Sequence, residues 1–158
     1  MIKKQKPVSK TQALRKLENF CAYQDRSYRE VAEKLKTFDL NQTDEKEILD
    51  ALIEEKFLDE NRYVNSFVRG KLNLKKWGKV KIEMRLRREG IPETLIRKAL
   101  GDINKDEYTL ILKQLIEKKM KGISSKNKQE LKYKAATYAI QKGYETELVW
   151  KVVNDLAG

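Results

Sequence analysis

Nine basic side chains crowd the twenty residues from Arg69 to Arg88: Arg69, Lys71, Lys75, Lys76, Lys79, Lys81, Arg85, Arg87 and Arg88. Glu83 alone opposes them, so the stretch carries +8 against a net +11 for the chain. Trp77-Gly78 lies in its middle, an aromatic followed by the most permissive backbone residue. Like charges kept together repel one another, and a fixed positive surface bearing an aromatic suits a polyanion or the acidic surface of a partner protein. Other chemistry is poorly served. There is no histidine, which removes the commonest general base and metal ligand. The lone cysteine, Cys21, lies on an apolar stripe and reads as a buried small hydrophobe. Glu54-Glu55 and Asp59-Glu60 are the tempting carboxylate clusters, but a two-metal nuclease needs carboxylates converging from separate elements on one site. No such convergence is legible here. The reading is a binding protein, not an enzyme, with no catalytic residue, metal or cofactor.

The elements that must carry this charge are helices. Hydrophobic residues make up 40% and charged residues 37%, which favours a thin core shared among amphipathic helices over one thick core. Met1 to Lys10 reads as a loose basic arm, with helical periodicity from Thr11 onward. Ala13, Leu14, Leu17, Phe20 and Cys21 form one apolar stripe. Ser27 with Glu30 matches a capping box opening a helix that carries Val31, Leu35 and Phe38. A third helix starts near Asp44 and carries Ile48, Leu49, Ala51 and Leu52. Asp59 caps a helix with Tyr63, Val64, Phe67 and Val68 on one face. After a break at Trp77-Gly78 comes another, then Gly90 as terminator and Pro92 in the first turn of the next. Tyr108 to Ile116 stripe a helix ending near Gly122, Asn127 with Glu130 caps the following one, and Gly143 ends it before a last helix striped by Leu148, Val149, Val152 and Val153.

The pattern repeats. Val31 and Leu35 correspond to Ile82 and Leu86, and to Ala135 and Ala139; Leu40 corresponds to Ile91 and Tyr144; Gly90 corresponds to Gly143; Ala51-Leu52 corresponds to Ala99-Leu100 and Val152-Val153. The first copy has three extra residues, Asn41 to Thr43. The expected fold is therefore all-α: an arm over 1–10, then three tandem three-helix repeats over 11–58, 59–103 and 104–158. One stretch conflicts locally. Lys79 to Arg87 alternates apolar and charged residues like a half-buried strand, but the repeat places it on the helix beginning at Ser27, and it has no partner strand.

Phe57-Leu58-Asp59-Glu60 with Arg62, then Ser66-Phe67-Val68-Arg69, Trp77-Gly78, Leu86 and Gly90-Ile91 together resemble the RecX family of recombinase regulators. Asp25-Arg26-Ser27, Glu30-Val31 and Lys34-Leu35 resemble that family's first repeat, and the third repeat matches in hydrophobic spacing. The resemblance spans about Ala13 to Leu156. It implies an elongated, curved array of three repeats that binds the groove of the RecA filament on single-stranded DNA. The implied effect is inhibition of filament growth, and with it of ATP hydrolysis, strand exchange and co-protease activity. It implies no cofactor and no catalysis, and places the function in DNA repair, homologous recombination and the SOS response.

The expected contact residues are Arg62, Arg69, Lys71, Lys75, Lys76, Trp77, Lys79, Lys81, Arg85, Arg87 and Arg88, with single- or double-stranded DNA as a further partner of the same face. Lys75, Lys76 and Lys79 are expected to be exposed. Trp77 reads as a core aromatic locking the first helix of its repeat onto the second, with base stacking as the alternative. Arg62 and Arg69 read equally well as salt-bridged to Asp59, Glu60 or another acid. The competing function is a plain DNA-binding module or transcription factor, Ser27 to Phe38 and the next helix forming a helix-turn-helix; the connection from Thr37 to Thr43 is long for that motif. A cytoplasmic monomer without a membrane span is expected.

Overall fold

The computed structural model describes residues 8–158. Among them the backbone forms nine α-helices and no strand: α1 (Lys10–Tyr23), α2 (Tyr28–Lys36), α3 (Gln42–Glu54), α4 (Glu60–Asn73), α5 (Lys79–Arg88), α6 (Glu93–Gly101), α7 (Lys105–Lys121), α8 (Lys128–Gln141) and α9 (Thr146–Ala157). This is an all-α helical-repeat fold. The stretch with strand-like alternation is helix α5. The expected arm falls mostly outside the described residues; of its last residues, Ser9 caps α1 and Lys10 opens it. Ser9 accepts from the Gln12 amide and Gln12 returns a bond to the Ser9 amide, a capping box that starts the helix at Lys10.

Local chemistry sets most helix ends. Ser27 and Glu30 form the capping box of α2. The Asp59 carboxylate accepts from the Arg62 amide at the start of α4. Asn127 accepts from the Gln129 and Glu130 amides at the start of α8. Asn41, expected before the third helix, is its N-cap and accepts from Asp44. The second helix of each repeat ends on a left-handed residue: Asp39 (φ 55°), Gly90 (φ 77°) and Gly143 (φ 101°). After the two glycines the amides of Ile91 and Tyr144 reach back to the Leu86 and Ala139 carbonyls, which closes the helix ends. Asp39 takes the glycine's place in the first copy, since aspartate tolerates this conformation better than most residues.

The chain divides into two compact units, Met1–Ser66 and Phe67–Gly158, with the division inside α4. In the first, Ala13, Leu17 and Cys21 from α1 meet Val31 and Leu35 from α2 and Ile48 and Leu52 from α3. Cys21 is buried, and desolvation pushes its thiol pKa up. Glu60 is also buried there, and its carboxylate accepts from the Tyr28 amide at the N-terminus of α2, where a negative charge is favoured. In the second unit the equivalent positions Ile82, Leu86, Ala135 and Ala139 are all buried. The small alanines let α8 pack closely against both α7 and α9.

Candidate functional site

Helix α5, which carries much of the charge, begins without a side-chain cap at Gly78. Its first amides are satisfied instead by the third repeat. The Gly78 amide donates to the Lys142 carbonyl at 2.8 Å, Lys79 to the Tyr108 hydroxyl at 3.0 Å, and Val80 to the Gly143 carbonyl at 2.9 Å. The backbones touch: a Cβ on Gly78 would lie 2.3 Å from the Gly143 carbonyl carbon and oxygen, and one on Gly143 would lie 2.3 Å from the Lys81 Cβ. Glycine is needed at both places. The Tyr108 hydroxyl in turn donates to Glu145 at 2.5 Å, and the Tyr144 hydroxyl donates to the Lys76 carbonyl at 3.0 Å. The two rings pack with centroids 5.2 Å apart. Burial, and then donation to Glu145, push the Tyr108 hydroxyl far above its ordinary range; burial does the same to Tyr144. Both hydroxyls stay protonated and act as fixed donors.

This junction sorts the expected contact residues into groups. Trp77 is half-buried, with the Lys71 ammonium 4.7 Å and the Lys81 ammonium 4.4 Å from its ring centroid. It joins α4 to α5 as expected, but through cation–π contacts at a partly open site and not inside the core. Lys79 is half-buried with its ammonium 4.8 Å from the Tyr108 ring centroid, which corrects the expectation that it is exposed. Lys75 and Lys76 are exposed, as is Arg69 on α4. Arg85 pairs with Glu89 at 3.5 Å, and Arg87 pairs with Glu83 at 2.6 Å and with Glu93. The hydrogen bond from Arg87 holds the Glu93 carboxyl below its usual range. Arg88 is exposed in the same last turn of α5, where positive charge complements the helix dipole. Arg62 belongs to the first unit. Its guanidinium donates to Asp25 at 2.6 Å and to the Lys56 and Phe57 carbonyls at 3.2 Å, and Asp25 also accepts from Ser66. The salt bridge expected for Arg62 thus has Asp25 as its acid.

The structure adds residues that the sequence did not single out. A groove of about 510 Å³ in the second unit is lined by Lys75 and Lys76 from the loop before α5 and by Lys118, Lys119 and Lys142 from the third repeat. Leu74, Ile111 and Leu115 line it, and no Asp or Glu does. The Lys142 ammonium donates to the Lys75 carbonyl at 3.1 Å and so holds the loop in place. The run Lys118-Lys119 was a visible signal in the sequence, but nothing local placed it beside Lys75. Among the described residues no group of three His, Cys, Asp or Glu could hold a metal ion, and no helix is long and apolar enough to cross a membrane.

By class this is a helical-repeat protein whose basic second repeat is locked onto a basic third repeat. Known proteins supply the family. The models of the second and third three-helix domains of RecX match residues 59–100 and 106–153, together more than half of the chain. Regulatory protein RecX from Clostridium tetani is 33% identical over 132 residues, covering 81% of this chain and 59% of that protein. The same-named protein from Lactobacillus delbrueckii subsp. bulgaricus is 26% identical over 137 residues, covering 87% and 51%. The chain therefore spans about half the length of several curated relatives it matches. The crystal structure of RecX from Lactobacillus salivarius superposes with a TM-score of 0.85 at 22% identity, covering 93% of this chain and 96% of that one. A second crystal structure, of regulatory protein RecX, gives 0.77 at 23% identity, covering 92% and 73%. The chain belongs to the RecX family.

Proposed function

We propose that this chain is a negative regulator of the RecA recombinase. It binds in the groove of the RecA filament on single-stranded DNA and inhibits filament growth, ATP hydrolysis, strand exchange and co-protease activity. The observation that carries the reading is the match of the second and third RecX domain models to the two repeats that share the basic groove. A filament presents the same acidic and phosphate-bearing surfaces again and again, and a tandem array can engage neighbouring protomers together, which raises affinity without a new type of contact. Clustered lysines steer such an encounter and make it sensitive to salt. The contact surface in this reading runs over Arg69, Lys75, Lys76 and the exposed arginines of α5; Arg62 is bonded within its own unit.

The test is ATP hydrolysis by the RecA of the same organism on single-stranded DNA, titrated with this protein. Suppression is expected at substoichiometric amounts. A Lys75→Glu/Lys76→Glu variant is expected to inhibit less while keeping its helix content, since both side chains are exposed. Lys79 is left in place because its ammonium packs on Tyr108. Unchanged hydrolysis at equimolar wild-type protein refutes the inhibitory reading. Sequence-specific duplex binding that survives physiological salt would instead favour a plain DNA-binding module.

A further inference from the structure

We infer that the groove between the Leu74–Lys76 loop and helices α7 and α8 receives an acidic peptide segment of a protein partner, anchored by aliphatic side chains. The inference rests on the second unit being a partner-binding body, and adds the chemistry of what it binds. Three observations carry it. First, the charge is one-sided: lysines rim the groove and no carboxylate lines it. Among the described residues, Lys75, Lys76 and Lys118 have no ion pair, so their ammoniums remain to be matched from outside. Second, the floor is aliphatic. Ile111 and Leu115, one helical turn apart on α7, are partly buried in the lining, and Leu74, 82% exposed, adds an open aliphatic side chain to it. Third, the one aromatic in the lining is poorly placed for stacking a base. The Lys119 ammonium already lies 4.6 Å from the Tyr138 ring centroid. Single strands are held by open aromatic faces beside basic residues, whereas phosphate has no use for an aliphatic floor. Carboxylates for the rim and leucines for the floor describe an acidic amphipathic segment.

The test uses the full chain without recombinase, by fluorescence anisotropy. The probes are a labelled acidic peptide with two leucines one helical turn apart, its twin with both leucines replaced by serine at equal charge, and a labelled oligothymidylate. The leucine peptide is expected to bind about tenfold more tightly than its serine twin, the scale set by burying aliphatic surface. Leu74→Ser is expected to remove most of that preference, and Lys118→Glu to weaken both peptides. Both side chains are exposed, so circular dichroism should stay unchanged. Absent peptide binding overturns the inference, as do equal affinities for the two peptides. Oligothymidylate binding more tightly than the leucine peptide, weakened by Lys118→Glu and untouched by Leu74→Ser, would assign the groove to nucleic acid. Because no filament is present, these outcomes are separate from loss or retention of inhibition in the hydrolysis assay.

Discussion

Replacing Gly78 by Ala should break the junction that fixes the start of α5. The new Cβ would meet the Gly143 carbonyl carbon and oxygen at 2.3 Å and the Tyr144 nitrogen at 2.4 Å, all backbone atoms that cannot rotate away. Ordinary contact begins at 3.4 Å, so the two segments must part by about 1 Å. The bonds from Gly78 to Lys142 and from Val80 to Gly143, now 2.8 and 2.9 Å, would then stretch beyond hydrogen-bonding range. Each of the two broken bonds costs about 1–3 kcal/mol where water cannot reach the groups it leaves unmatched. Alanine regains roughly 0.4–1 kcal/mol by restricting the unfolded chain. Partial relaxation leaves a net loss of about 2–4 kcal/mol. Urea unfolding followed by far-UV circular dichroism measures it. Gly70→Ala is the internal control: Gly70 sits inside α4 with nothing within 4 Å of its added Cβ, so that variant should gain about 0.5–1 kcal/mol. Equal stability of the two variants would refute the view that the glycine is required by close backbone approach.

The Tyr108 hydroxyl gives a pH signature. Its pKa is raised in the fold above the ordinary 10.0, so the unfolded chain releases this proton first, and the stability it contributes is present below pH 10.0 and declines above it. Tyr108→Phe should lose about 1–3 kcal/mol at neutral pH, since the Lys79 amide loses its acceptor and Glu145 its donor. The gap from the wild type should narrow as pH rises beyond about 10, and a gap that stays constant would show that the hydroxyl is not held protonated. Trp77→Ala should cost about 1–3 kcal/mol, less than for a fully buried tryptophan, because the ring is half-buried and two lysines lie on it. An unchanged melting temperature with weakened filament binding would move Trp77 from packing to contact.

What the sequence by itself determined is whatever rests on neighbours within a turn or two. Ser27 with Glu30, Asp59, and Asn127 mark true helix starts, because a cap bonds amides two or three residues away. The apolar stripes marked the buried faces, and the correspondence of Val31, Ile82 and Ala135 carried the repeat and overruled the strand-like alternation of α5, since each is fully buried on its own second helix. Where the local signal had two meanings, the sequence was silent. Trp77-Gly78 looked like a simple break. It is a docking point, and the acceptors that start α5 come from Tyr108, Lys142 and Gly143. Arg62 had nearby acids in Asp59 and Glu60, yet its carboxylate partner is Asp25, 37 positions away. Lys75 and Lys142 face one groove across 67 positions of sequence. Charge along a chain shows how much positive potential there is; which lysines share a surface depends on how closely two backbones can approach, and here two glycines without a Cβ set that distance.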